Sequence, residues 1–327
     1  MIGSNKKGQR LRDVTGKCKD SLARQLLHTK RDWQLWLLML LPLAYILIFY
    51  YWPMYGVQIA FRQYSPRLGI TGSEWVGLKW FEKFFTNYSF TEVLLNTLTL
   101  SLYSIVVGFP LPIMFALILN ALKNDRFRRT AQTITYIPYF LSVTVLVAII
   151  NLIFSPTSGL YGSIYRMLGG NGYPYDFRSM SGAFRHIYVW SGVWQSLGWN
   201  TIIYTAALSS VSQELHDAAM IDGASRWQRI FCVDLPAILP TVIIMLILTA
   251  GSILGVGFEK AYLLQTPLNL DTSEVISTYV YKAGMGKASD FSYGTAVGLF
   301  NSIVNLAFLV VVNWTSKKAS DDEVSLF

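Results

Sequence analysis

The chain has 327 residues, of which 53% are hydrophobic and only 14% are charged, and its formal net charge is +8. Soluble domains usually carry about 25% charged residues, and several apolar runs here reach the ~20 residues that a helix needs to cross a bilayer. These values exclude an ordinary soluble protein and predict an integral membrane protein.

A basic arm occupies residues 1–32. It carries nine Lys or Arg residues against Asp13, Asp20 and Asp32. The apolar run that follows has no small-residue cleavage site, so the arm does not look like a cleavable signal peptide. Because positive residues beside a span favour the inner side of the membrane, we expect the arm in the cytoplasm. A role in binding nucleic acid is not expected, since a span follows directly.

Six apolar runs come next and predict an all-α, six-span helical bundle. Prolines fall inside the first run (Pro42) and in the later half of the second (Pro110 and Pro112), and the fourth run is the least apolar. The predicted spans cover residues 33–52, 94–119, 131–154, 187–209, 237–257 and 294–314.

Charge placement favours one orientation of these spans. With both termini inside, the cytoplasmic segments 1–32, 121–130, 211–236 and 315–327 carry 17 Lys or Arg over 81 residues, whereas the external segments carry 10 over 106. This is the excess that the positive-inside rule requires. We therefore predict a membrane domain at 33–314, with a cytoplasmic tail at 315–327, in the cell membrane. Both cysteines, Cys18 and Cys232, then lie in the reducing cytoplasm.

Signatures of catalysis and nucleotide binding are missing from the sequence. No Gly-Lys-Ser or Gly-Lys-Thr is present, so the chain has no phosphate-binding P-loop. His28, His186 and His216 are scattered, and no zinc-protease or nucleophile-elbow pattern occurs. We expect no enzyme activity and no cofactor on this chain; if ATP drives it, another subunit hydrolyses the ATP.

Polar and aromatic side chains inside the spans have two interpretations. Aromatic faces and amide groups suit a sugar, because its CH faces stack and its hydroxyls form hydrogen bonds. The same side chains also suit helix packing and an aromatic belt at the membrane surface. Adjacent Glu259 and Lys260, just past the fifth span, are either solvated or line an external vestibule. The candidates for a substrate path are Trp190, Trp194, Gln195, Trp199, Asn200 and Asn301.

A charged segment at 210–240 interrupts the apolar runs. Ser210 and Gln213 have capping-box spacing, which predicts a helix start at that point. Gly223 suits a sharp corner between two short helices, because glycine adopts a left-handed backbone conformation. Pro236 suits the start of the next helix, and Pro240 could kink it.

This segment resembles the EAA loop of ABC-importer permeases. The spacing is complete: Asp217-Ala218-Ala219, three residues, Gly223, nine residues, then Val233-Asp234-Leu235-Pro236. Asp replaces the usual Glu and Val the usual Ile. The resemblance implies that 211–236 docks on a cytoplasmic ATPase and couples ATP hydrolysis to the spans. Its implied coupling residues are Glu214, Asp217, Ala218, Ala219, Asp222, Gly223, Arg226, Leu235 and Pro236.

Three further stretches, 31–61, 257–269 (GFEKAYLLQTPLN) and 273–285 (SEVISTYVYKAGM), resemble the LplB-like polysaccharide permeases. This carbohydrate branch of ABC importers has the type I permease fold. The resemblance implies a second, non-identical permease subunit, two ATPase subunits that hold ATP and Mg, and an extracytoplasmic solute-binding protein. It also implies an oligosaccharide substrate, with uronate-containing fragments of alginate or pectin among the possibilities.

A secondary transporter or channel without an ATPase is the alternative. Such a carrier would more often show inverted repeats and carboxylates inside the spans for ion coupling. The sequence shows neither, apart from Glu92 and Glu259 at span edges.

Overall fold

Helices form most of this computed structural model, which describes residues 33–122, 124–286 and 290–319. The chain divides into two units, Met1–Gln58 and Ile59–Phe327. The basic arm at 1–32, with Cys18, lies outside the described residues, as does most of the tail at 315–327.

The first described helix, most of which belongs to the first unit, changes its winding along its length. It consists of α1 (Trp33–Ile46), a π-turn (Leu47–Tyr51), α2 (Trp52–Met54) and a 3-10 segment (Tyr55–Phe61). A proline has no N–H, and its ring clashes with the carbonyl four residues earlier. The π-turn ends two residues before Pro53 and widens the helix where that clash would fall. The whole stretch Trp33–Phe61 is long and apolar enough to cross a membrane.

The second unit begins with a small hairpin that the all-α prediction does not contain. Strands β1 (Arg62–Ser65) and β2 (Ser73–Trp75) are antiparallel, with Arg62 opposite Trp75, and the short helix α3 (Gly69–Gly72) joins them. Helix α4 (Lys79–Phe85) follows and buries Trp80 and Phe84 in the core. The indole N–H of Trp80 donates to the carbonyl of Arg62 at 2.9 Å, which fixes this helix to the hairpin.

The other elements of the second unit are helices joined by short connections. In chain order the helices are α5 (Ser89–Gly108), α6 (Pro110–Asn120), α7 (Asp125–Tyr136), α8 (Val143–Phe154), α9 (Leu160–Met167), α10 (Ser181–Ser209), α11 (Gln213–Ile221), α12 (Arg226–Arg229), α13 (Leu235–Ala250), α14 (Phe258–Leu264), α15 (Leu270–Ser273), α16 (Ile276–Met285) and α17 (Phe291–Ala319). The 3-10 segments are Ile137–Phe140 and Phe177–Ser179, and a second π-turn is Ile230–Asp234. Helices α5 and α6 run on as one apolar stretch, and so do α12, the second π-turn and α13.

Four stretches of the described chain are long and apolar enough to cross a membrane, or five if a bent pair counts as one span. They are Trp33–Phe61, Ser89–Asn120, Arg226–Ala250 and Phe291–Lys318, with Asp125–Phe140 plus Val143–Phe154 as the bent pair. The predicted fourth span lies in α10, which is 29 residues long but does not meet the same apolarity criterion.

The predicted third span, 131–154, is not one straight helix. Its two halves are bent by 100° relative to each other. Pro138 lies in the 3-10 segment that ends the first half, and Ser142 caps the second half by accepting the N–H of Val145 at 3.3 Å. A proline followed closely by an N-cap serine is the local reason for a break.

Helix α10 lies at the centre of the second unit. It packs against α5, α6, α7, α13, α14 and α15. Phe184, Val189, Tyr204 and Leu208 from this helix are buried in two of the hydrophobic clusters. A helix that faces protein on most sides does not need the apolar surface that lipid requires, which explains its lower hydropathy.

Candidate functional site

The charged segment folds as two helices around a sharp corner. Helix α11 begins after Ser212, whose side chain accepts the N–H of Glu214 at 3.2 Å. The predicted cap at Ser210 is therefore wrong by two residues. Gly223 has a φ of +79°, and its predicted left-handed conformation is confirmed. No atom lies within 4 Å of where a Cβ would stand, so backbone conformation alone favours glycine there.

Beyond the corner, the second helix does not stop before the membrane. Ser225 and Gln228 form a capping box at its start. Helix α12 then passes through the π-turn Ile230–Asp234 into α13, and the three together make the candidate span Arg226–Ala250. Pro236 lies in the first turn of α13, as expected, but α13 continues the preceding π-turn and is not a separate helix. The π-turn ends two residues before this proline, which lets the helix continue past it.

The outer side of this segment is exposed and partly apolar. Ile221 is 86% exposed, Trp227 65% and Leu215 54%. Ala218 and Asp217 are also exposed, whereas Ala219 and Leu235 are half-buried. We call Gln213–Arg229 the loop surface. Large apolar side chains beside small alanines suit contact with another protein.

One buried carboxylate, that of Asp234, holds the inner side of the segment against the neighbouring helices. Asp234 is 3% exposed, and its Oδ1 lies 3.2 Å from His216 Nε2 and accepts from Asn120 Nδ2 at 3.2 Å. This ties α11 and the end of α6 to the π-turn. The sequence analysis assigned no anchoring role to any of these three residues. The available signal was an acidic side chain inside the otherwise apolar run at 230–250, where a carboxylate requires partners.

A cavity of about 480 Å³ lies inside the second unit. Helices α5, α10 and α13 form its walls together with the segment around α14. Its polar lining includes Ser101, Ser104, Gln195, Ser196, Asn200 and Thr249. Hydroxyl and amide groups on an otherwise apolar wall are the groups that bind polyhydroxylated molecules.

The structure divides the predicted path residues among several places. Gln195 and Asn200 line the cavity, and the Gln195 amide also donates to the carbonyl of Leu141 at 2.9 Å. Trp190 and Trp194 line a separate, apolar cavity of about 610 Å³.

The remaining two path residues line neither cavity. Trp199 stacks on Tyr139 with the ring centroids 4.3 Å apart. Asn301 lies in α17, and its side-chain oxygen is buried without a hydrogen-bond partner among the described residues.

Lys260 also lines the cavity. It lies in α14, outside the candidate spans, and is only 8% exposed. Its Nζ donates to the carbonyl of Tyr188 at 2.7 Å. Burial lowers the pKa of this ammonium to about 7. The neighbouring Glu259 instead accepts the hydroxyl of Thr144 at 3.0 Å. In the described part of the chain, no three His, Cys, Asp or Glu side chains group as metal ligands would.

Comparison with known proteins identifies the family to which this chain is similar. Residues 108–320 match the model of the family described as binding-protein-dependent transport system inner membrane component. The protein LplB of Bacillus subtilis is 41% identical over 91% of this chain and 92% of its own length. The polygalacturonan/rhamnogalacturonan transport system permease protein YteP of the same organism is 38% identical over 94% of both chains.

A solved structure confirms the fold. The crystal structure of a bacterial ABC transporter involved in the import of the acidic polysaccharide alginate contains a chain 36% identical to this one. The TM-score is 0.81, over 91% of this chain and 99% of that one. A second structure of an alginate transporter, in complex with an alginate pentasaccharide-bound periplasmic protein, matches equally well at 35% identity. The chain therefore belongs to the family of binding-protein-dependent transport system inner membrane components, and is a permease subunit of an ABC importer with the type I fold rather than an enzyme.

Proposed function

We propose that this permease moves oligosaccharides into the cytoplasm and that uronate-containing fragments, such as those of alginate or pectin, are among its substrates. The observation that carries the proposal is the helix Arg226–Ala250. It begins next to the Gly223 corner of the loop surface, and Met245 and Thr249 near its other end line the cavity. The polar lining of that cavity and the substrates named for the relatives support a sugar.

The continuous helix supplies a mechanical link. At 1.5 Å per residue, Arg226 and Thr249 are roughly 35 Å apart along the helix axis. A push on the loop surface would therefore reach the cavity wall through one helix, in which the π-turn and Pro240 are the irregular points. Conformational changes of this kind require rigid elements with two arrangements, and a helix packed between the loop and the cavity is such an element.

The proposed assembly contains four kinds of chain. They are this permease, a second non-identical permease, two ATPase subunits with ATP and Mg, and an extracytoplasmic solute-binding protein. The missing P-loop and the EAA spacing support the ATPase, and the exposed Ile221 and Trp227 give it a surface to contact. Complex formation with a periplasmic protein in an alginate transporter supports the solute-binding protein.

Reconstitution tests this function. Liposomes that contain both permeases and the ATPase should take up oligosaccharide only when ATP and the solute-binding protein are present. Removal of the ATPase should abolish uptake. If this chain alone carried sugar across liposomes without ATP, the assignment of a coupled importer would be wrong.

For the membrane orientation, we propose six spans with α10 as the fourth and both termini in the cytoplasm. Cys232 is exposed in the second unit and follows the loop surface. We expect a membrane-impermeant thiol reagent to label Cys232 in inverted vesicles and to leave it unlabelled in intact cells. A Cys232→Ser variant controls for labelling at Cys18. Labelling of Cys232 from outside would contradict the orientation.

For the substrate path, we propose that Gln195 and Asn200 contact sugar hydroxyls. Gln195→Ala and Asn200→Leu should each reduce uptake roughly five- to tenfold, because each removes a hydrogen-bonding group worth about 1 kcal/mol or more in a desolvated site. Co-purification of the partner chains should be unchanged. Trp199→Phe is a suitable control, since Trp199 stacks on Tyr139 and does not line the cavity. Normal uptake in both cavity variants would place the path elsewhere.

A further inference from the structure

Lys260 places a buried ammonium without a counter-charge at the cavity wall. Among the described residues its one hydrogen bond is to the carbonyl of Tyr188, which leaves two of its three N–H groups free. The adjacent Glu259 does not pair with it and contacts Thr144 instead. An ammonium removed from water without an anionic partner is costly, so a protein that retains one usually has a use for its charge.

The wall around this ammonium is shaped to accept it. A Cβ on Gly192 would lie only 3.1 Å from Lys260 Nζ, so glycine at this point of α10 gives the ammonium its room. The Tyr188 ring lies beneath it, with its centroid 4.7 Å from Nζ. Of the described residues that line the cavity, Lys260 alone carries a charge. The other polar groups there are hydroxyls and amides, which suit sugar hydroxyls.

We propose that Lys260 binds the carboxylate of an acidic oligosaccharide inside the permease and thereby selects uronate-containing sugars over neutral ones. This inference rests on the proposed function and assigns the selectivity to one residue. The two free N–H groups can donate to carboxylate oxygens, and such charge-assisted hydrogen bonds are about twice as strong as neutral ones. A neutral sugar leaves the ammonium unpaired. A single ammonium also holds the carboxylate less rigidly than a bidentate arginine would, which suits a site that must release its ligand.

A matched pair of probes tests the proposal. Trigalacturonate carries three carboxylates, and its carboxyl-reduced form, α-1,4-galactotriose, differs only at those groups. The assay is uptake by the complete reconstituted transporter with its own solute-binding protein. We expect Lys260→Met to lower kcat/KM for trigalacturonate at least tenfold and to leave galactotriose within twofold. Lys79→Met, which changes an exposed side chain of α4 away from the cavity, should change neither value.

A second variant moves the ammonium without removing it. Gly192→Ala would place a Cβ 3.1 Å from Nζ, so the ammonium must shift slightly, and uptake of trigalacturonate should fall while uptake of galactotriose stays unchanged. Thermal unfolding gives an independent readout, because replacement of an unpaired buried charge by an apolar side chain of similar size is often stabilising. Lys260→Met should therefore raise the Tm of the complex, whereas loss of a purely structural contact would lower it.

The outcomes separate this inference from the function on which it rests. Equal loss of both probes, or unchanged uptake of trigalacturonate, in Lys260→Met would overturn the role of Lys260. Import of galactotriose but not trigalacturonate by the wild-type complex would also overturn it, while leaving the oligosaccharide importer intact. If the wild-type complex imported neither probe, pectin fragments would be excluded as substrates and the inference would fail with them.

Discussion

A Gly223→Val variant is expected to assemble with its partner permease yet lose at least tenfold in both substrate-stimulated ATPase activity and transport. Gly223 has a φ of +79°, and no atom lies within 4 Å of the position that a Cβ would take, so the substitution strains the backbone and not the packing. A left-handed conformation costs an L-residue roughly 1–2 kcal/mol, and more for a β-branched one. Relief of this strain would change the angle between α11 and the helix Arg226–Ala250.

Three variants make the Gly223 experiment specific. Gly223→Asn should retain coupling, because asparagine tolerates the left-handed region. Gly169→Val introduces similar strain at a φ of +82° in the connection after α9, far along the chain, and should leave coupling unchanged. Ala218→Arg places a large charge on the exposed loop surface and should reduce co-purification of the ATPase, since burial of an unpaired charge is costly. Wild-type stimulation in both Gly223→Val and Ala218→Arg would contradict the coupling role.

The corner at Gly223 was predictable because its cause is local. Glycine takes the required positive φ at little cost, and the number of residues between Gly223 and both Asp217 and Pro236 is read directly from the sequence. The continuation of the second helix was not predictable in the same way. Proline at position 236 is compatible with a helix start or with a π-turn that carries the helix past it, and only packing around 230–234 decides between them.

The bend in the predicted third span and the central position of α10 show a second limit of prediction from sequence. A hydropathy pattern reports whether a segment avoids water, and it does not distinguish lipid from protein as the surroundings. Both sides of the 100° bend together are apolar enough for a span, so the bend leaves no mark in the hydropathy of residues 131–154. Helix α10 is less apolar because it packs on protein, which is the reason that the predicted fourth span was the least clear in the sequence.

Some residues that line the cavity could be identified from the sequence, whereas others are placed there by tertiary packing. Gln195 and Asn200 were identifiable as amides inside an apolar run, where polar groups require a protein or aqueous environment. Trp190 and Trp194 were chosen for their aromatic faces in the same run, but they lie on another face of α10, because a helix turns by about 100° per residue. Whether Lys260 is solvated or buried depends on Gly192 and Tyr188, which are about 70 positions away in the chain. Contacts of that separation are set by tertiary packing.

Asp234→Ala is expected to have the largest effect on stability, because Asp234 joins three separate segments. It accepts from Asn120 at the end of α6 and pairs with His216 of α11. Its removal leaves both donors without this acceptor in a mostly buried place, and an unsatisfied buried donor costs about 1–3 kcal/mol. The complex should therefore unfold at a lower temperature, and α11 should lose its attachment to the membrane helices. Transport should fall together with the Tm.

A double-mutant cycle distinguishes a specific interaction between Asp234 and His216 from a general loss of packing. If Asp234 and His216 act as a pair, the effects of Asp234→Ala and His216→Ala on the free energy of unfolding should not add, with a coupling of about 0.5–3 kcal/mol. Asp125→Ala removes an exposed carboxylate paired with Arg128 and should change the Tm little, because exposed ion pairs contribute at most about 1 kcal/mol. Asp234→Asn retains an acceptor oxygen for Asn120 and His216 but loses the negative charge, so its effect should lie between wild type and Asp234→Ala. Additive effects of the two alanine variants would show that His216 and Asp234 do not fix the loop surface to the end of α6.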